Sequence, residues 1–194
     1  MGVLSRLLRS GLRRGQYRRG AIHATKSVAA LLIGLACLGA RAETAPLAQL
    51  RAAGSGTYTY WGFEVYQASL WVEPGFEPAA FARQRHALEL QYLRNFKGRD
   101  IAERSIEEMR RIGPFSETQA RDWLQAMVAA FPDVRAGDRL LGVHLPGRGA
   151  QFYYNGRPTG EVRDPEFARL FFGIWLSEQT TAPRLRAALL GQAR

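Results

Sequence analysis

The sequence predicts an α+β domain, one antiparallel sheet with helices packed on one of its faces. Three observations carry this expectation. Stretches of two-residue apolar alternation open the domain and return in its middle, as "VYQASLWV", "HALELQYL" and "DRLLGVHLP". Two helices with capping signals lie together between the second and third stretches, and two more follow the last hairpin. Helices clustered in this way, rather than alternating with every strand, favour antiparallel pairing over a doubly wound parallel sheet.

The domain is expected to begin after residue 42. Residues 1–42 hold eight basic side chains and no acid, followed within them by the apolar run "SVAALLIGLACLGA" and an A-x-A site at Ala40 to Ala42. These are the parts of a secretory signal cleaved after Ala42, and they place the product in the periplasm or outside the cell. The run has 14 residues, short of the roughly 20 that a membrane-spanning helix needs. Two other export patterns match less well. "GLAC" resembles a lipoprotein box at Cys37 but has Gly34 where a larger aliphatic is usual, and "RRGAI" stands too far from the apolar run for a twin-arginine signal.

Removing the signal changes the charge. Of 27 basic and 17 acidic residues, eight and none fall in the first 42, so residues 43–194 keep 19 and 17, or +2. The remainder has no basic stripe of the kind that binds nucleic acid. Its 152 residues make one domain, able to bury about 70% of its unfolded surface. It contains no cysteine, and His86 and His144 are its only histidines, without an H-E-x-x-H spacing. No metal or cofactor is therefore expected.

The elements follow in order. Pro46 to Ala53 reads as a lead-in, and the aromatic stretch "TYTYWGFEVYQASLWV" as strand, bent or turned at Gly62. Beyond it, Tyr66, Ala68, Leu70 and Val72 share an apolar face, with Gln67 and Ser69 on the other and Phe63, Val65 and Trp71 around them. "EPGFEP" is a turn, "AAFARQ" a short helical piece and "HALELQYL" a half-buried strand. Asp100 with Glu103 suggests the N-cap of a helix that Gly113 and Pro114 stop. Ser116 with Gln119 marks the next helix, which shows Trp123, Leu124, Met127 and Phe131 on one side and ends at Pro132.

After "DRLLGVHLP", Asn155-Gly156 predicts a type I′ hairpin, and Pro158 assigns its return arm to a sheet edge. Asp164 and Pro165 open a helix carrying Phe167, Leu170, Phe171, Ile174 and Trp175 at helical spacing. Pro183 starts a last helix closed by Gly191.

Few residues carry chemistry. The glycine-rich "GSGT" and "GRG" fit turns rather than phosphate cradles, and no G-x-S-x-G elbow is present. His86 and His144 read as strand histidines with hydrogen-bonded core or edge roles. "ERSIEEMRR" reads as a solvated helix face with pairs such as Glu107–Arg111. Tyr66 is the exception: a hydroxyl mid-strand on an apolar face, beside the small Ala68, needs a partner and has room for a void next to it. A purely structural role for it stays open.

Four stretches together, "VYQASLWV", "FKGRDIAERSIEEM", "GDRLLGVHLPGRGAQFYYNGRPTGEV" and "DPEFARLFFGIWLSEQTTAPRLRAALLG", resemble the chalcone isomerase family, in its branch of exported bacterial proteins. The resemblance implies an open-faced β-sandwich, an antiparallel sheet with helices on one side and a ligand cleft between. The plant enzyme cyclises a chalcone, which requires a cation near the phenolate and donors at the developing oxyanion. Here a family threonine is replaced by Tyr66, its tyrosine by Ile101, its asparagine by Glu108, and its arginine by a residue near Ala53 or Gly54. Neither Ile101 nor Glu108 can act as the required donor, so no catalytic residue is assigned.

The family's fatty-acid-binding branch, which places a tyrosine at the Tyr66 position beside an arginine, is the nearer analogy. It implies a small apolar or amphipathic ligand bound by Tyr66, with Phe63, Leu70 and Trp71 as pocket or core residues. Arg51 or Arg94, or else Arg157, would stand in for the arginine. An isomerase using other residues and an envelope protein with a filled cleft are the alternative functions.

Overall fold

The computed structural model describes residues 46–192. The expected signal segment and its cleavage site lie outside the described residues. Strand β1 (Arg51–Tyr60) starts inside the stretch read as a lead-in and pairs with β2 (Phe63–Val72) across a two-residue turn. That turn is Trp61-Gly62, with φ of 49° and 79°, so the bend expected at Gly62 is a tight hairpin. A 3-10 helix (Pro78–Arg83) leads to β3 (His86–Tyr92), and helices α1 (Gly98–Ile112) and α2 (Glu117–Ala130) follow as a pair. The chain then forms β4 (Arg139–Leu145), β5 (Gly149–Tyr154) and β6 (Arg157–Val162), and closes with α3 (Pro165–Leu176) and α4 (Pro183–Leu189).

Among the described residues the strands make one six-stranded antiparallel sheet in the order β1-β2-β3-β4-β5-β6. The α+β class is as expected. The Asn155-Gly156 turn has φ of 48° and 80°, as its type requires, and β6 with Pro158 is an edge. β3 lies between β2 and β4 and is more buried than a half-exposed strand, because its second face is also covered.

The core forms between the sheet and the helices. Ala68, Leu70 and Val72 of β2, Leu88 and Leu90 of β3 and Phe152 of β5 pack with Met109, Met127, Phe167, Leu170 and Phe172 from α1, α2 and α3. A smaller cluster on the other face joins Ala87, Leu141, Val143 and Tyr153 to Trp71, Leu47 and Leu50. The Arg85 guanidinium anchors that leading segment by donating to the carbonyls of Ala48 and Pro46, at 3.0 and 3.1 Å.

Helix boundaries show where local signals hold. Ser116 and Gln119 close the predicted capping box, and the Asp164 carboxylate accepts from the N–H groups of Glu166 and Phe167. α1 departs from expectation. It begins at Gly98, two residues before the predicted cap, and Asp100 lies in its first turn. Its end is capped from a distance: the Asp133 carboxylate accepts from the Gly98 N–H at 3.0 Å and from Lys97 Nζ at 2.7 Å. A Cβ on Gly98 would lie 1.9 Å from the Phe131 carbonyl oxygen, so only glycine permits this approach. The expected Glu107–Arg111 pair is also replaced, since Glu107 meets Arg104 and Arg111 lies nearest Glu108. Among the described residues no helix is long and apolar enough to cross a membrane.

Candidate functional site

The sheet and helices do not close completely on each other. Between β2, β3, β4 and β5 below and α1 and α3 above lies a cavity of about 340 Å³. That is room for a small ligand, at the lower end of the usual range of about 300–1,000 Å³, and far beyond a packing defect. Its floor and walls are aliphatic and aromatic, among them Leu88, Leu90, Phe152, Phe171 and Ile174. Gly142 keeps the floor low, because a Cβ there would press at 3.3 Å on the rings of Phe152 and Phe172.

Tyr66 lines this cavity. The indole N–H of Trp175, on α3, donates to its hydroxyl oxygen at 3.0 Å. Tyr58 stacks on its ring with centroids 5.1 Å apart, and Tyr92 meets it edge-on at 6.1 Å. Register explains the group: Tyr58 of β1 and Tyr92 of β3 are the cross-strand partners of Tyr66 on either side. Burial raises the pKa of Tyr66 and of Tyr92 well above the ordinary phenol value. For Tyr66 the Trp175 bond acts in the opposite direction and is outweighed. Both are therefore neutral phenols that offer a proton rather than phenolates.

The polar end comes from α1. Ile101, Arg104, Ser105 and Glu108 lie three and four residues apart, which puts them on one face, and all four line the cavity. The Ser105 hydroxyl is occupied, donating back to the Ile101 carbonyl at 2.8 Å. The Glu108 side chain is only 9% exposed, and its Oε1 lies 2.5 Å from Arg104 Nη2. This contact is charge pairing without an aligned N–H, since Oε1 accepts no well-directed hydrogen bond. Oε2 accepts from the Thr181 hydroxyl at 3.0 Å. Arg104, half exposed at the rim, also donates to Glu107 at 3.1 Å.

The structure separates the residues expected to share the site. Of the ligand-contacting set, only Tyr66 lines the cavity. Leu70 is completely buried in the core. Trp71 points to the opposite face of the sheet, into the smaller cluster, because residues one apart on a strand alternate sides. Phe63 is 60% exposed at the hairpin end, beneath the Arg94 guanidinium at 4.7 Å. Arg51 pairs with Val72, six positions along β2 from Tyr66, or about 20 Å. Arg157 is exposed on the edge strand β6 and is not part of the cavity wall.

The arginine at the site is Arg104. Its signal was present in the spacing from Ile101 to Glu108, but the density of charge read as a solvated face. Tyr92 and Trp175 likewise carry only a strand and a helix-core pattern in the sequence.

His86 and His144 lie apart from the cavity, as a buried cross-strand pair stacked at 4.7 Å. Their Nδ1 atoms both lie within hydrogen-bond distance of the Gln84 carbonyl oxygen, 3.0 and 2.8 Å away. Burial, then the neighbouring His144, lowers the pKa of His86 to about 3. Burial also lowers that of His144. These are the neutral core histidines the strand pattern suggested.

A family profile described as "Chalcone isomerase-like" matches residues 41–191. An uncharacterized protein of Haemophilus influenzae is 30% identical over 154 residues, which cover 78% of this chain and 73% of that one. Among solved structures, an Arabidopsis thaliana fatty-acid binding protein superposes with a TM-score of 0.59 at 14% identity, over 74% of this chain and 87% of that chain. At that identity the likeness is one of fold.

Proposed function

The chain belongs to the chalcone isomerase-like family, and from that premise we propose that it binds an apolar or amphipathic small molecule, such as one with a fatty acyl chain, without turning it over. The observation that carries this reading is the cavity itself, apolar along its walls and polar at one end. A cleft filled by its own side chains would leave no such volume. The fold shared with a plant fatty-acid binding protein supports the same reading.

Turnover of a chalcone-like enone requires donors and uncompensated positive charge around a developing enolate. Glu108 stands in the cavity wall instead, and Arg104 is paired to it. That arrangement disfavours an enolate. The signal pattern in residues 1–42 supports action in the periplasm or outside the cell.

Native mass spectrometry of gently purified protein is expected to show a bound lipid-like molecule, and added long-chain amphiphiles to displace an uncharged fluorescent apolar probe. A ligand-free preparation that ignores such probes removes the binding role. Enone turnover that disappears in Tyr66→Phe would establish the isomerase instead.

A further inference from the structure

The polar end of the cavity contains one cation and two anions. Arg104 is the only basic residue among its described lining residues, and Glu108 and Asp100 line it as well. The cation is already engaged by Glu108 at 2.5 Å and Glu107 at 3.1 Å, and its side chain is 52% exposed at the rim. The more deeply placed charge is the carboxylate of Glu108, at 9%. A carboxylate seated beside Arg104 would therefore lie against this buried like charge, and would have to compete with Glu108 for the guanidinium.

The hydroxyls give a complementary picture. Ser105 and Thr181 donate their protons to the Ile101 carbonyl and to Glu108. Tyr66 accepts from Trp175, which leaves its own proton free to donate. Tyr92, 4% exposed, lines the cavity next to Tyr66. The Tyr66 phenol proton, with Tyr92 beside it, thus faces a largely apolar cavity where the acceptor of a ligand can take it.

Building on the proposed binding role, we infer that the cavity selects amphiphiles whose head is an uncharged hydrogen-bond acceptor, such as an ester, aldehyde or alcohol, over free carboxylates. The head accepts from Tyr66, with Tyr92 as the neighbouring donor, and the chain lies along the leucine and phenylalanine wall. Glu108 acts as the specificity determinant by occupying the guanidinium that a carboxylate would need.

The test compares four ligands of one chain length: methyl dodecanoate, dodecanol, dodecanoate and dodecylamine. Binding is followed through intrinsic tryptophan fluorescence, to which Trp175 at the cavity contributes, and by calorimetry at neutral pH. The ester and alcohol are expected to bind about tenfold or more tightly than the carboxylate, a difference of about 1.4 kcal/mol. Glu108→Gln should strengthen carboxylate binding about tenfold relative to the ester. Tyr66→Phe should weaken the ester about tenfold.

Tighter binding of the carboxylate or of the amine by the unaltered protein overturns the inference and leaves the binding role intact. An ester preference that keeps its size in Glu108→Gln also overturns it. The ranking in the unaltered protein decides the matter even where a variant fails to fold. Failure of all four ligands to bind removes the binding role itself, and the inference with it.

Discussion

The Trp175 indole on α3 donates to the Tyr66 hydroxyl on β2 at 3.0 Å, joining two residues that lie 109 positions apart in the chain. This bond spans the cavity from helix layer to sheet and fixes the phenol oxygen. It also assigns the two hydrogen-bonding roles of that hydroxyl, acceptor toward the protein and donor toward the cavity.

Tyr66→Phe removes the acceptor and leaves a buried indole N–H without a partner. The expected cost is about 1–3 kcal/mol in urea-induced unfolding. A loss below about 0.5 kcal/mol would mean that the indole finds water or another acceptor, and that the bond does not hold the layers together.

Arg104→Ala strands the Glu108 carboxylate beside an apolar cavity, with Thr181 and the more distant Arg111 as remaining partners. Because Arg104 is half exposed, water screens the pair, and the expected destabilisation is about 1–2 kcal/mol rather than the larger value of a fully buried pair. Adding Glu108→Gln should recover most of that loss. A double-mutant cycle that gives simple additivity would show that the two side chains are not coupled.

The histidine pair predicts a pH dependence. In the folded protein the pKa of His86 is lowered to about 3, mainly by burial, from an ordinary value of 6.5. The unfolded chain therefore binds more protons between these values, and the folded state loses stability as pH falls from 6.5 toward 3. The slope approaches about 1.4 kcal/mol per pH unit for this one group. His144, also lowered by burial, adds in the same direction. Denaturant midpoints across that range, for the unaltered protein and His86→Leu, would test this. An unchanged slope in the variant would assign the acid sensitivity to carboxylates.

Trp61 occupies a left-handed position in the β1–β2 turn, at φ 49°, and is 84% exposed. Such a position strains a bulky residue, and little packing offsets it. Trp61→Asn is expected to raise stability by about 0.5–1 kcal/mol without altering the cavity. A fall in thermal midpoint would show that the indole makes a stabilising contact in solution.

The elements were legible in the sequence wherever the deciding interactions are local. The capping box of α2, the Asp164 cap and Pro165 of α3, and the Asn155-Gly156 turn depend on residues no more than four apart. The alternation from Tyr66 to Val72 likewise placed Ala68, Leu70 and Val72 in the core. The start of α1 was misplaced because its cap comes from Asp133, 35 residues beyond Gly98.

The sequence by itself determined the α+β class and the strand and helix order, and singled out one tyrosine hydroxyl on an apolar strand face. Only the tertiary structure decided that this hydroxyl meets Trp175, that Arg104 rather than Arg51 or Arg94 stands at its cavity, and that Glu108 already holds that arginine. The physical reason is range. Periodicity, caps and turns are set by neighbours along the chain, whereas a cavity is the space left when helices and sheet meet through contacts distant in sequence.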